Sequence, residues 1–169
     1  MASDRSRTPP SDPSGNRVTF ISTDSGLLAP QAVFDDPRCP PVGSGSIASG
    51  ARLRVSGDGG VFTIEMPCVN WSANADGSRY RYRDASGTSC RSAILRNGRM
   101  LKISCKGPQV AYTLGSAQGN ISVTMATGDP ATNNKFCATF GPQTATTVHR
   151  DGSDGRSYSA VDAGLGRCL

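Results

Sequence analysis

The residue types that catalysis requires are scarce in this sequence. His149 is the only histidine, so a Ser-His-Asp or Cys-His site would have to be built around it, with Asp151 nearby. No G-x-S-x-G motif, P-loop or dinucleotide-binding glycine pattern occurs. Glu65 is the only glutamate, and Asp35-Asp36 lies in a segment followed by proline, which leaves no carboxylate pair suited to glycoside hydrolysis. We therefore predict a protein that is not an enzyme and uses no cofactor.

Arginine is the residue type whose spacing suggests binding chemistry. The chain has 15 Arg and 3 Lys against 13 acidic residues, for a net charge of +5, and residues 79–106 hold eight of the cations and one acid, Asp84. If strands in this segment share a face, they form a positive stripe able to meet phosphate or acidic polysaccharide. Alternatively, the arginine stems simply cover a sheet face while their charged heads stay solvated. The residues that we predict for a polyanion-binding or glycan-binding surface are Arg79, Arg81, Arg83, Arg91 and Lys102.

Two weaker patterns also bear on ligands. Trp71 and the four tyrosines offer rings on which sugars stack, but the alternation around Trp71 favours a core position for it. The sequence DGSDG at 151–155 carries oxygen ligands for Ca²⁺, but it lacks the spacing of an EF-hand, and we interpret it as a polar turn. We therefore predict no metal site.

The cysteines indicate the compartment. Six of them are spread singly along the chain, at positions 39, 68, 90, 105, 137 and 168. A zinc site would have to be all-thiolate and drawn from distant positions, so disulfides are the better interpretation. Disulfides require an oxidising environment, which predicts a secreted, periplasmic or cell-surface protein. Because the chain begins MASDRSRTPP rather than with a signal segment, we expect a mature or truncated form, or one end of a longer exported protein.

The segment from Cys90 to Cys105 predicts a β-hairpin. Asn-Gly at 97–98 lies between two alternating apolar runs and favours a two-residue type I′ turn. That turn would pair Arg96 with Arg99 and place Cys90 opposite Cys105, at a hydrogen-bonded position with Cα atoms about 5.5 Å apart. A disulfide fits this distance and would stabilise the fold by roughly 3 kcal/mol. Two buried free thiols are the alternative.

Alternation of apolar and polar residues dominates the chain from Ala51 onward, as in Val61–Met66. We predict an all-β fold, an antiparallel β-sandwich (Ig-like or related) of about nine or ten short strands, stapled by disulfides. Residues 51–169 form this domain, residues 17–50 form a Pro/Gly-rich segment with one or two strands (at 18–21 and 27–34), and residues 1–16 form a disordered tail. No apolar run is long enough for membrane insertion.

Several stretches, taken in order, carry a resemblance over about 100 residues: Trp71, GSRYRYRD at 77–84, CRSAILRNGRMLKISCKG at 90–107, QGNISVTMATG at 118–128, KFCATFG at 135–141 and VHRDGSDGRSYSAVDAGLGRC at 148–168. The chain resembles an uncharacterised β-rich module that recurs near the C-termini of predicted secreted and surface proteins of myxobacteria and related soil bacteria. The resemblance implies that Cys137 pairs with Cys168 and that the domain ends the polypeptide, and it implies no activity. By exclusion, Cys39 then pairs with Cys68.

These observations predict a non-catalytic accessory or adhesion-type module of an exported protein, which binds a surface protein or a glycan. The competing prediction is a free-standing basic module that binds nucleic acid or another polyanion through the Arg-rich strands in residues 79–106. The two predictions differ in salt dependence, because polyanion binding weakens steeply as salt rises.

Overall fold

The computed structural model describes residues 17–22, 36–40, 50–87, 89–96, 100–107, 109–110, 112, 117–128, 135–141, 143–144, 146–150, 153–161 and 164–165. Fourteen β-strands account for most of these residues. They are β1 (Arg17–Ser22), β2 (Gly50–Gly57), β3 (Gly60–Pro67), β4 (Trp71–Ala73), β5 (Arg79–Arg83), β6 (Cys90–Arg96), β7 (Met100–Lys106), β8 (Ala117–Gln118), β9 (Ile121–Thr127), β10 (Lys135–Phe140), β11 (Gln143–Thr144), β12 (Thr146–Arg150), β13 (Ser153–Val161) and β14 (Gly164–Leu165). A 3-10 turn, Cys68–Asn70, links β3 to β4.

The strands form two large sheets and a small one. The seven-stranded sheet has the order β12-β13-β1-β7-β6-β5-β4, the five-stranded sheet has the order β14-β10-β9-β2-β3, and β8 pairs with β11. All pairings between these strands are antiparallel except that of β1 with β13, which is parallel. The predicted all-β fold is confirmed. The described residues form fourteen strands in place of nine or ten, in part because three strands of two residues leave no alternation to detect.

The two large sheets pack face to face, and their inward side chains form one hydrophobic cluster. Phe20 of β1 packs on Phe140 of β10, with ring centroids 5.1 Å apart. At the edge of the sandwich, Trp71 of β4 donates its indole N–H to the carbonyl oxygen of Met66 on β3, at 3.2 Å. These contacts join the sheets both in the interior and along one edge, which makes the fold a sandwich.

Strand β1 is an integral part of the seven-stranded sheet, since it lies between β13 and β7. Val18 and Phe20 alternate into the core and are fully buried. The predicted strand at 18–21 is therefore confirmed, and the sheet extends beyond the range 51–169 that the sequence assigned to the domain. The predicted strand at 27–34 and the tail at 1–16 lie outside the described residues.

The β6–β7 hairpin has a different turn from the one that the sequence predicts. Arg96 pairs with Met100, so three residues connect the strands, and the predicted pairing of Arg96 with Arg99 is wrong. The observed register places Leu95 opposite Leu101, and both side chains are buried. A two-residue turn would have put Leu95 opposite Met100. The buried side chain of Leu95 would then have been paired with a residue that faces outward, and the inward side chains of the two strands could not have shared one core.

A β-bulge between Cys90 and Ser92 shifts the register again, so that Cys90 does lie opposite Cys105. The predicted disulfide between these two cysteines is confirmed, with Cα atoms 3.7 Å apart. The predicted hydrogen-bonded position is wrong, because Lys106 N–H donates to the carbonyl oxygen of Ser89 at 3.0 Å, the bond that flanks a non-hydrogen-bonded pair. The bulge therefore shifts the alternation of hydrogen-bonded and non-hydrogen-bonded pairs by one residue.

A second disulfide joins Cys39 to Cys68, with Cα atoms 4.8 Å apart. It ties residues 36–40 to the 3-10 turn after β3, and it confirms the pairing reached by exclusion. Cys137 is disulfide-bonded as well. Cys168 lies outside the described residues, so its pairing with Cys137 stays a prediction. These bonds are compatible with an oxidising extracellular environment.

Gly57 lies where the end of β2 meets the buried ring of Tyr112. A Cβ atom at Gly57 would overlap the Tyr112 hydroxyl oxygen and lie 3.0 Å from the carbonyl oxygen of Asn120. The Tyr112 ring is held edge-on against Phe62, with centroids 6.0 Å apart, so it has little room to move aside. Glycine is therefore required at position 57 by close approach.

We expect Gly57→Ala to lower the free energy of unfolding by about 1–3 kcal/mol, because the added methyl group overpacks the site. Urea unfolding measures the change, and Gly141→Ala is the control, since a Cβ at Gly141 meets no atom within 4 Å. The same Gly57→Ala substitution should cost less in a Tyr112→Phe background, which lacks the overlapping oxygen. Equal destabilisation in both backgrounds would contradict this packing.

Because of the bulge, we expect two single-residue deletions in the hairpin to have different effects. Removing Arg91 takes out the extra residue of β6, so Cys90 should still meet Cys105 and form the disulfide. Removing Lys102 from β7, which has no extra residue, should turn Ile103 and Cys105 to the outer face and prevent the bond. Alkylation of free thiols followed by peptide mass mapping distinguishes the two variants. Labelled Cys90 in the Arg91 deletion would show that the bulge is misassigned.

Candidate functional site

Strand β5 presents three of the predicted binding residues on one face. Arg79, Arg81 and Arg83 alternate with Tyr80 and Tyr82, and both tyrosine rings are buried. Since successive residues of a strand point to opposite faces, burial of the tyrosines directs all three arginines to the outer face of the seven-stranded sheet.

The turn before β5 fixes where this alternation starts. The side-chain oxygen of Asn74 accepts a hydrogen bond from Arg79 N–H at 2.8 Å, and Asp76 accepts one from Ser78 N–H at 2.9 Å. Gly77 has a φ of +66°, a conformation that other residues adopt at a cost. A one-residue slip of β5 would break these bonds and bury the arginines.

Strands β6 and β7 place further cations on the same face. Arg91, Arg96 and Lys102 are exposed, while Ala93, Leu95 and Ile103 point into the core. The bulge is what turns Arg91 outward, since regular alternation from Ala93 would point it inward. The five predicted residues therefore share one face, as the stripe hypothesis requires: Arg79, Arg81, Arg83, Arg91 and Lys102.

The structure adds three cations that the predicted set lacked. Arg96 and Lys106 belong to the same hairpin, and Arg17 of β1 is the Cα partner of Lys106. The alternation of β1 marks Arg17 as outward, but no sequence signal shows that β1 lies beside β7. We call the outer surface of β1, β5, β6 and β7 the basic face, which bears Arg17, Arg79, Arg81, Arg83, Arg91, Arg96, Lys102 and Lys106.

Among the described residues, no carboxylate compensates the charge of the basic face. The outward positions of β1 and of β4 to β7 hold no Asp or Glu, and the ion pairs between described residues involve only Arg38 with Asp36 and Arg52 with Glu65. Arg79 is moreover the Cα partner of Arg96. Like charges directly opposite each other destabilise a sheet, so this face carries positive charge at an energetic cost.

Asp84, the one acid in residues 79–106, is held in the β5–β6 loop. Its carboxylate accepts hydrogen bonds from the Ser86 hydroxyl and the Ser86 N–H, both at 2.8 Å, and from the Ser89 hydroxyl at 3.2 Å. These bonds, that of the Ser86 side chain above all, lower the pKa of Asp84. The donors in these bonds are hydroxyl and amide groups, and no ion pair between described residues joins Asp84 to an arginine.

The outer face of the five-stranded sheet differs in charge. Arg52 on β2 forms an ion pair with Glu65 on β3, and the exposed Arg54 is flanked by its Cα partners Thr63 and Thr124. Uncompensated positive charge is therefore concentrated on one side of the sandwich. Arg54 provides an exposed arginine outside the basic face for comparison.

Four of the described aromatic rings are withdrawn from the surface. Trp71, Tyr80, Tyr82 and Tyr112 are all buried, and Trp71 packs on Tyr82 with ring centroids 5.2 Å apart. The predicted core position of Trp71 is confirmed. These four rings therefore offer no platform on which sugars or bases could stack.

The remaining sequence candidates add no second site. His149 lies on β12 with Asp154 of β13 as its Cα partner, and Asp151 lies outside the described residues. In the part of the chain that the structure describes, no three His, Cys, Asp or Glu residues are grouped so as to hold a metal ion. The same part contains no helix with the length and apolar character of a membrane span.

Comparisons with protein-family models, with curated proteins and with solved structures find no match to this chain. The resemblance to the β-rich module of myxobacterial surface proteins therefore stays a prediction.

The hydrogen bonds to Asp84 predict a pH-dependent contribution to stability. Because its pKa is lowered in the folded state, the contribution is present above the unfolded value of about 3.9 and is lost as the pH falls through the folded value. Asp84→Ala should lower the free energy of unfolding by about 1 kcal/mol at pH 7, and by progressively less as the pH is lowered below about 3.9. Urea unfolding at pH 7 and at a series of lower pH values tests this; a difference that does not change with pH would exclude a role for the carboxylate charge.

Proposed function

We propose that this chain is a non-catalytic accessory or adhesion-type module of an exported protein, and that its basic face binds an anionic component of a cell surface. The observation that carries the proposal is the set of eight cations on adjacent strands, with no carboxylate among them and with Arg79 directly opposite Arg96. An arrangement that costs stability and has no internal partner suits an external anion.

The spacing of the cations supports a joint action. Outward residues lie about 6.6 Å apart along a strand, and neighbouring strands lie about 4.8 Å apart. These separations are shorter than the Debye length of roughly 8 Å at physiological ionic strength, so neighbouring charges reinforce one another in solution. A polyanion meets several of them at once and releases its counterions on binding.

The disulfides support the exported location in this proposal. Cys90 and Cys105 are fully buried beneath the basic face. A secreted, periplasmic or cell-surface protein forms such bonds readily, whereas cytosolic thiols are kept reduced. Surface polymers are the anions that an exported module meets in greatest quantity.

Nucleic acid is a second candidate ligand for the same face. It is favoured by the three arginines at alternate residues of β5, since arginine binds phosphate bidentately. The burial of the aromatic rings that the structure describes weighs against single strands, whose binding sites stack bases on exposed rings.

Charge reversal and salt test the proposed surface. Arg83→Glu should weaken binding to a polyanion such as dextran sulfate by about tenfold at low salt, and the pair Arg81→Glu/Arg83→Glu should abolish it. Arg54→Glu, which changes the net charge as much as Arg83→Glu does, should leave binding nearly unchanged because Arg54 lies on the other sheet. Fluorescence anisotropy with labelled polymer measures the affinities.

Wild-type affinity should also fall by about 100-fold or more between 50 and 200 mM salt, as expected when several cations displace counterions. Equal effects of Arg83→Glu and Arg54→Glu would show that net charge alone matters and would remove the basic face as the site. Binding that persists in Arg81→Glu/Arg83→Glu would also remove the basic face as the site.

A further inference from the structure

The basic face is organised around a line of hydroxyl groups. Arg83, Ser92, Ser104 and Thr19 are successive Cα partners on four adjacent strands, β5, β6, β7 and β1. The three hydroxyl residues among them are half-buried on the outer face and form no side-chain hydrogen bond with any described residue. We call Ser92, Ser104 and Thr19 the hydroxyl row; it runs across the strands, with one hydroxyl about every 4.8 Å.

Cations flank the hydroxyl row on both sides. Two residues away in one direction lie Arg81 and Lys102, which are both partners of Ile94. Two residues away in the other direction lie Lys106 and its partner Arg17. Arg83 and the bulged Arg91 close the end of the row that faces β4. The hydroxyl row is thus a line of neutral hydrogen-bonding groups with positively charged side chains on either side.

This arrangement matches one ligand chemistry better than others. A serine or threonine hydroxyl both donates and accepts hydrogen bonds, as sugar hydroxyls do, whereas phosphate oxygens only accept. The strand spacing is also close to the length of one sugar residue in an extended polysaccharide. Flanking cations then fit carboxylate or sulfate groups that project from the sides of the chain.

We infer that the ligand is a linear acidic polysaccharide that lies across the strands along the hydroxyl row, with its anionic groups directed to the flanking cations. This inference rests on the proposed function and narrows its ligand class. Carboxylated and sulfated sugars share the required chemistry, whereas DNA and inorganic polyphosphate have no free hydroxyl groups along their backbones.

The test compares four polymers of matched charge at about 150 mM salt, where non-specific attraction is screened. Polygalacturonate carries carboxylates, dextran sulfate carries sulfates, and inorganic polyphosphate and oligo(dT) carry phosphates without free sugar hydroxyls along the backbone. At least one of the two sugar polymers should bind about tenfold more tightly than both phosphate polymers, the effect of one or two net hydrogen bonds. The sugar polymer that binds more tightly identifies the anionic group as carboxylate or sulfate.

A pair of serine substitutions isolates the hydroxyl row. Ser92→Ala/Ser104→Ala should remove the preference for the sugar polymer and leave polyphosphate affinity within about twofold. Ser56→Ala/Ser122→Ala is the matched control, because those serines are also half-buried cross-strand partners but lie on the outer face of the five-stranded sheet. Urea unfolding of each variant checks that the sandwich is intact.

The outcomes separate this inference from the proposed function. Equal affinity for all four polymers, or a sugar preference that survives Ser92→Ala/Ser104→Ala, would overturn the hydroxyl row while leaving polyanion binding in place. Tighter binding of oligo(dT) than of either sugar polymer would assign the face to nucleic acid. Failure of every polymer to bind at low salt would overturn the proposed function together with this inference.

Discussion

The pairing of β6 with β7 is the constraint on which the rest of the structure depends. Its inner side carries the disulfide between Cys90 and Cys105, together with Leu95 and Leu101, and its outer side carries cations. A three-residue connection sets the register near the turn, and the bulge at Arg91 resets it near the disulfide. Without that reset, alternation from the turn would direct both a cysteine and an arginine to the wrong side of the sheet.

The two faces of the seven-stranded sheet differ in composition and in their effect on stability. The inner face joins the aromatic and aliphatic cluster of the sandwich, and its burial supplies the driving force for folding. The outer face places Arg79 against Arg96 and keeps Asp84 engaged with serine hydroxyls. Mutual repulsion favours a larger separation of these arginines. They are held close together by the core, the disulfides and the turn before β5.

How much the sequence reveals depends on the range of the interaction concerned. Alternation in β5 is local, so residues 79–83 by themselves indicate that the two tyrosines share one face and the three arginines share the other. The Cys90–Cys105 disulfide was predicted through an incorrect turn, because the error of one residue at the turn and the omission of the bulge cancel. The contribution of Arg17 to the basic face was missed, since the docking of β1 beside β7 depends on contacts between distant segments that no local pattern encodes.

The position of β1 has a consequence for how the chain reaches its folded state. This strand, the first that the structure describes, is bordered by β7 on one side and by β13, close to the far end of the chain, on the other. Its parallel ladder with β13 can form only after all the residues from β1 to β13 have been synthesised. Such high contact order slows folding, so the edge of β1 that faces β13 stays unpaired until the end of that synthesis.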